Sequence, residues 1–287
     1  MNAPVLLGRS SATVRFRRIE LCAINALRDE LACYPKPGLV SFVDSGSHAD
    51  MSAATFLRSI EALRGYFAQI AVAGADNASF AELNAIGRAA EARMFEATGG
   101  RNTHRGAVFS LGLLAAAAGR QSRNGKPARS AVCGVVGDRW GEEILAFPRP
   151  AEAASHGDLV RRRYGAAGAR EQAAAGFPVV TEHALPAFRH VRALGNSAGT
   201  AAVQALFAIM AALADNNLLY RAGPVGLDYA RSVAAGFLVH GGMLRRDGHA
   251  RAVAVHRRFV AVNLSPGGAA DLLAATLFVS AWEQEER

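Results

Sequence analysis

Cysteine is scarce in this chain: Cys22, Cys33 and Cys133 are its three, and none has a close neighbour of the kind that zinc sites or redox dithiols require. A disulfide scaffold is excluded, and a reduced, cytoplasmic protein is the simplest expectation. The phosphate-binding pattern GxxxxGK[ST] occurs nowhere. Nor is there a clear membrane span, because the longest nearly uninterrupted apolar stretch, residues 198–214, falls at or under the ~18 residues needed and is broken by Thr200 and Gln204. That stretch reads as a buried core helix. The opening MNAPVLLGRSSATVRFRR puts its arginines after the apolar stretch, the reverse of a secretory signal, so export is not expected.

What is present is a globular composition: 287 residues, 51% hydrophobic and 20% charged, which excludes disordered and collagen-like classes. Thirty-two basic residues against 24 acidic give a formal charge of +8, a field that attracts polyanions without specifying which. Apolar residues recur three or four apart in Ile19, Cys22, Ala23, Ala26, Leu27 and Leu31, and again in Phe56, Ile60, Leu63, Phe67 and Ile70. The same spacing marks Leu83 to Met94, Val203 to Leu213 and Leu227 to Phe237, while no set of alternating strands emerges. An all-α, single-domain multi-helix bundle with a polar cleft is the expected fold. Residues 107–118 and 269–281 are apolar on almost all sides, as central helices are. Loops are expected at 119–127, 147–156 and 165–168, an N-terminal extension at 1–14, and one helical domain over 15–287.

Unusual residues collect at helix entrances. Two prolines flank Lys36 before Gly38, which holds a lysine on a stiff segment; this suits phosphate binding, or simply a Pro-rich turn with a solvated lysine. In SGSHADM (45–51), capping by Asp50 or Ser52 explains one residue but does not require His48 and Asp50 together. TGGRNTHRG (98–106) combines Gly99, Gly100, Arg101, Asn102, His104 and Arg105 ahead of an apolar helix, where backbone amides and positive potential suit an anion. A glycine-terminated helix followed by a capped one explains that segment equally well. DNNLLYRAG (215–223) reads as the end of the Val203 helix, with Asp215, Asn217 and Arg221 as polar ligands suited to Mg²⁺ and phosphates, or as a plain C-cap. SPGGAAD (265–271) opens the last apolar helix with Gly267 and Gly268 and places Asp271 one turn in. A carboxylate there is costly unless a metal or an arginine meets it.

Taken in order, these clusters resemble the triphosphoribosyl-dephospho-coenzyme A synthase family, over residues 21–281. The carriers are YPKPGLVSFVDSGSHADM (34–51), EARMFEATGGRNTHRGAVFSLGLL (91–114), GAREQAAAGFP (168–178), DNNLLYRAG and NLSPGGAADLLA (263–274). The wording of SFVDSGSHADM and RRRYGAAGAREQAAAGFP is more similar to the malonate decarboxylase branch than to the citrate lyase branch. Arg105 stands where many relatives carry lysine, and DNNLLYRAG departs from the usual Asp-Thr-Asn and Arg-Gly-Gly, which leaves the role of Asn216 open.

The resemblance implies an all-helical enzyme in which ATP donates its 5-triphosphoribosyl group to 3′-dephospho-coenzyme A and adenine leaves. The product would pass to a prosthetic-group transferase acting on an acyl carrier protein, with no nucleic acid or membrane partner. It implies phosphate contacts for Lys36, Arg101, Arg105 and Arg221, Mg²⁺ at Asp215 and Asp271, and sugar or proton-transfer work for His48, Asp50 and His104. Glu91 is either a partner for the arginines or a surface acid. Two other readings stand beside this one. A Mg²⁺-dependent helical hydrolase of a nucleotide or ADP-ribose-type substrate would use the same acids but admit water. A basic nucleic-acid-binding module explains the charge but has no zinc finger, RNP-like motif or long basic helix behind it.

Overall fold

The computed structural model describes residues 4–123, 131–149 and 156–285, and among these there is no strand. Helix α1 (Pro4–Ala32) buries the stripe expected of it, Ile19, Cys22, Ala23, Ala26, Leu27 and Leu31, and runs through residue 14 without a break. The stripe from Phe56 to Ile70, expected as one helix, is divided into α2 (Ala53–Ala62) and α3 (Tyr66–Ala75). Gly65 lies between them with φ 82°, a left-handed conformation that glycine adopts without penalty and that ends the helical hydrogen-bond pattern. Helix α4 (Phe80–Ala97) starts in a reciprocal cap, in which Ser79 N–H donates to Glu82 at 2.8 Å and Glu82 N–H donates back to Ser79 Oγ at 3.4 Å.

Helix α5 (Arg105–Arg123) continues into the segment expected as a loop from Gly119. The glycine there serves packing rather than a turn: a Cβ on Gly119 would lie 1.9 Å from the Ala71 carbonyl oxygen, so its absence lets α5 press against α3. Positions 124–127 of that expected loop lie outside the described residues. Next come α6 (Val132–Ala146), α7 (His156–Tyr164) and α8 (Ala169–Ala174), with 165–168 non-helical as expected and 150–155 outside the described residues. A π-helical turn (Val179–Ala184) leads into α9 (Leu185–Ala193). Helix α10 (Ala198–Ala212) is the expected core helix, with Ala201, Val203, Leu206, Phe207 and Ile209 fully enclosed.

The segment from Asp215, expected to terminate that helix, instead opens the next one: Asp215 is the N-cap of α11 (Asn216–Val239). Leu213 and Ala214 form the link, and α11 is itself kinked where Gly223 and Pro224 interrupt its hydrogen bonds. Helix α12 (Gly248–Ala261) and α13 (Gly267–Glu285) complete the chain. Helix α13 packs against α1, α5 and α10, and its Leu273, Ala275, Phe278 and Val279 are buried, as are Leu111 and Leu114 of α5. Each such leucine or phenylalanine contributes about 1.5–3 kcal/mol on burial. The two helices expected at the centre are at the centre, and their N-terminal ends meet at one side of the bundle. Among the described residues no single helix is long and apolar enough to cross a membrane.

Candidate active site

A cleft of about 830 Å³ opens where the N-terminal ends of α5, α11 and α13 converge with the 39–51 loop and the last turn of α1. That volume is within the range of small-molecule sites. Four of the five sequence clusters contribute to its wall. His48 and Asp50 come from the loop; Gly100, Arg101, Asn102, His104 and Arg105 from the α4–α5 turn; Asn217 and Arg221 from α11; and Gly267 and Asp271 from α13. Lys36, Gly99, Gly268 and Asp215 do not line it. GAREQAAAGFP lies elsewhere, where Glu171 accepts from Gly168 N–H at 2.7 Å and α8 packs on α6.

The cations fall into two groups. Arg101 and Arg221 reach the cleft from its rim. Arg101 Nε donates to the Asp50 carbonyl at 3.3 Å and stands 3.7 Å from the Asp50 carboxylate. Arg221 ties three segments together, donating to the Ser47 carbonyl at 3.2 Å, the Asn263 carbonyl at 3.1 Å and Asn263 Oδ1 at 2.9 Å. Arg105 is held from behind by Glu91 at 2.5 Å, so Glu91 is the arginine's partner and not a free surface acid. Lys36 is placed differently from expectation. It is 1% exposed, and its ammonium donates to Glu30 Oε1 at 2.5 Å and to the Glu30 carbonyl at 2.8 Å. Its segment is not a solvated turn: His256 Nδ1 is 2.5 Å from the Lys36 carbonyl, which helps to fasten it inside the bundle.

The acids also separate into two roles. Asp215 is 2% exposed and engages both oxygens with backbone: Oδ1 accepts from Asn217 N–H at 2.8 Å and Leu218 N–H at 3.4 Å, and Oδ2 from Ala269 N–H at 2.8 Å. The Gly268 amide lies on it as well. One carboxylate therefore caps the starts of α11 and α13 together. Burial pushes this carboxyl up to about 6, although the amides pull the other way. Asp271 faces the cleft, and burial followed by the nearby charges of Glu30 and Asp215 holds its carboxyl well above the usual carboxylate range. Room for it depends on Gly106, where a Cβ would sit 2.0 Å from Asp271 Oδ2.

The two histidines differ in what they can donate. His48 Nε2 is 2.9 Å from Ser265 Oγ, and its Nδ1 is 3.3 Å from an Arg221 guanidinium nitrogen and 3.8 Å from Asp50 Oδ1. A guanidinium only donates, so Nδ1 accepts and Nε2–H points at the serine. Burial and then Arg221 lower the pKa of His48, against an upward pull from Asp50. In this arrangement His48 cannot withdraw the Ser265 proton, and a serine nucleophile has no base here. His104 is 3% exposed, with Nδ1 at 2.6 Å from Ser59 Oγ; burial, reinforced by Lys36, lowers its pKa to about 3, so the ring is neutral.

Sequence reasoning missed Glu30, Ser59 and the cleft-lining Phe56 and Phe95. A signal existed for two of them. Glu30 sits three residues after Leu27, and Ser59 three after Phe56, each a polar side chain inside an apolar helical stripe.

Among the described residues no three His, Cys, Asp or Glu side chains converge as a metal site. Mg²⁺ commonly takes only one or two carboxylates together with substrate phosphates. Asp271 fits that use, being open to the cleft and crowded by other carboxylates whose repulsion a cation relieves. Asp215 does not fit, since both of its oxygens are occupied by amides.

Comparison with known proteins places the chain in a family. Residues 16–287 match the model of the ATP:dephospho-CoA triphosphoribosyl transferase family. The chain is 41% identical over 263 residues to a probable 2-(5″-triphosphoribosyl)-3′-dephosphocoenzyme-A synthase of Pseudomonas aeruginosa, covering 90% of this chain and 88% of that one. It is 40% identical over 285 residues to a probable synthase of the same name from Azotobacter vinelandii, covering 96% and 94%. No solved structure matches.

Proposed function

The chain belongs to the ATP:dephospho-CoA triphosphoribosyl transferase family, and on that premise we propose that its cleft moves the 5-triphosphoribosyl group of ATP onto a ribose hydroxyl of 3′-dephospho-coenzyme A. The observation that carries this reading is the polarity of the cleft: arginines at the rim and a crowded carboxylate, Asp271, on the wall of the same space. Such a pairing suits a substrate that is anionic at one end and becomes cationic at the reacting carbon.

The bond to break joins the anomeric carbon of ATP to adenine. Its electron pair goes to the purine, the acceptor oxygen forms the new bond, and the acceptor's proton ends on adenine, which leaves neutral. Arg101 and Arg221 exchange their present carbonyl and carboxylate partners for triphosphate oxygens, while Arg105, braced by Glu91, adds a third positive charge. Asp271 places negative charge on the wall of the cleft, where it stabilises positive charge developing on the ribose. Mg²⁺, when bound, neutralises triphosphate charge, and Asp271 is the residue that would hold it. Met51, Phe56 and Phe95 give part of the wall an apolar surface that disfavours water, which would otherwise intercept the ribosyl carbon.

We place the enzyme in the malonate decarboxylase branch, on the wording of SFVDSGSHADM and RRRYGAAGAREQAAAGFP. Its product would go to a prosthetic-group transferase that loads an acyl carrier protein. The reaction is tested by incubating the protein with Mg²⁺, ATP and 3′-dephospho-coenzyme A. The expected result is one adenine per adduct heavier by a triphosphoribosyl group. ADP or orthophosphate as the main product, or adenine release that does not depend on dephospho-coenzyme A, would overturn the transfer in favour of phosphoryl or hydrolytic chemistry.

A further inference from the structure

His104 carries a feature that the reaction described above does not use. Its Nε2 is buried and has no hydrogen-bond partner, yet the residue lines the cleft. Buried polar atoms are nearly always paired, and one left open on a cleft wall is suited to a group that arrives with the substrate.

Which atom carries the proton follows from the side chains behind the ring. Thr103 Oγ1 lies 2.8 Å from Ser59 Oγ and 3.2 Å from the Met94 sulfur. A thioether is a weak acceptor, so the threonine proton goes to Ser59. Ser59 then donates its own proton to His104 Nδ1, 2.6 Å away. With Nδ1 accepting and the ring neutral, the remaining proton sits on Nε2, the unpartnered atom of a residue that lines the cleft. Phe56 packs edge-on against the imidazole with ring centres 4.9 Å apart, and Phe56, Phe95 and Met51 share the cleft wall with it. Aromatic and apolar side chains around a single N–H donor suit a flat heterocycle with in-plane ring nitrogens better than they suit a phosphate.

We propose that Ser59, backed by Thr103, is a positioning residue that fixes His104 as the Nε2–H tautomer, and that this N–H donates to a ring nitrogen of the purine that leaves ATP. The inference rests on the transfer reaction proposed above. As the anomeric bond breaks and its electron pair moves onto the purine, the donated hydrogen bond strengthens, so His104 assists departure without giving up its proton. A neutral imidazole is able to act in this electrophilic way. The proton that adenine finally carries is the one lost by the acceptor hydroxyl.

Two measurements test this independently. Long-range ¹H–¹⁵N NMR of the free protein should find His104 with its proton on Nε2, and in Ser59→Ala that preference should be lost. Steady-state adenine release should fall about tenfold or more in kcat for Ser59→Ala, with KM for both substrates within about threefold of wild type, since the lost interaction belongs to the transition state. Thr103→Val should shift both readouts in the same direction, and His104→Gln, which retains an N–H donor, should keep more activity than His104→Ala. A wild-type ring protonated on Nδ1 would overturn the proposal. So would an unchanged kcat in a folded Ser59→Ala, or a rise confined to KM for dephospho-coenzyme A, which would mean that His104 serves the acceptor's adenine. Should Ser59→Ala fail to fold, the wild-type tautomer and Thr103→Val decide the matter. Failure of the transfer reaction itself would appear as wild-type protein that releases no adenine, whatever the tautomer.

Discussion

Replacing Lys36 with methionine separates a structural lysine from a phosphate-binding one. Glu30 is 3% exposed and Lys36 1%, so the substitution leaves a carboxylate inside the protein without its cation. Breaking one side of a buried pair costs about 3–5 kcal/mol. Glu30 has an escape, which is to take a proton. From an ordinary value of 4.5 this costs about 3.4 kcal/mol at pH 7, at 1.36 kcal/mol per tenfold, and so sets a ceiling near the lower end of that range. Burial already pushes the Glu30 carboxyl up in the intact protein, and losing Lys36 removes what holds it down. The sign of the pH dependence follows. A carboxyl raised in the folded state contributes stability that is full below its unfolded value and lost as pH rises through the folded value. The variant should therefore be about 3 kcal/mol less stable at pH 7 but within about 1 kcal/mol of wild type at pH 5. Thermal melts should show a midpoint about 6–12 °C lower at pH 7, and the double variant Glu30→Gln, Lys36→Met should recover most of it. If Lys36 instead bound triphosphate, the midpoint would hardly move, KM for ATP would rise and the double variant would give no rescue. A melting shift under about 2 °C at pH 7 would refute the enclosed-pair account.

Three further outcomes follow from the site. Asp215→Ala should lose about 2 kcal/mol, the sum of two helix caps, while the Mg²⁺ concentration needed for half-maximal adenine release stays unchanged; a large shift in that concentration would return Asp215 to the metal. Gly106→Ala should fold, since the new methyl meets the end of one side chain rather than backbone, but it should cut adenine release at least about tenfold by displacing Asp271; circular dichroism and turnover check this. With Asp271 needed ionised, kcat at limiting Mg²⁺ should climb with pH along a limb above the ordinary carboxylate range, saturating Mg²⁺ should move that limb to lower pH, and Asp271→Asn should lose both most of the rate and the limb.

Much of this was legible in the sequence because helical stripes report burial directly. The spacing of Ile19 to Leu31 and the apolar character around 107–118 and 269–281 identify α1, α5 and α13 without reference to anything distant. What failed was punctuation. Gly65 breaks a helix and Gly119 does not, and the difference lies in what each meets: open space at one, the Ala71 backbone at the other. Asp215 was misread for a related reason. An acid after an apolar run looks like a C-terminus, but its partners include amides of α13, more than fifty residues onward, which no local pattern reveals. Lys36 and Glu30 are six residues apart across the end of α1, close enough to suspect a pair. Only the enclosure of both converts a mobile surface cation into a buried strut.

The charged residues of this chain therefore act at two depths, and the depths have different requirements. Lys36 with Glu30, and Asp215 with its amides, are satisfied by the protein alone; a partner change there costs stability, so they hold the loop and the starts of α11 and α13 in place. Arg221 and His48 are held by hydrogen bonds to neutral partners at 2.9 to 3.2 Å, and Arg101 and Asp50 by a carbonyl contact and an exposed pair at 3.7 Å. Exposed ion pairs of that length contribute little to stability, and for that reason they can be exchanged for phosphate oxygens at little cost. Asp271 stands between these two sets. It is as crowded as the buried acids, open like the rim, and without a cation of its own among the described ion pairs. Two groups on the cleft wall are where an arriving substrate gains most: the Asp271 carboxylate, which has the Ala107 amide but no cation, and His104 Nε2, which has no partner.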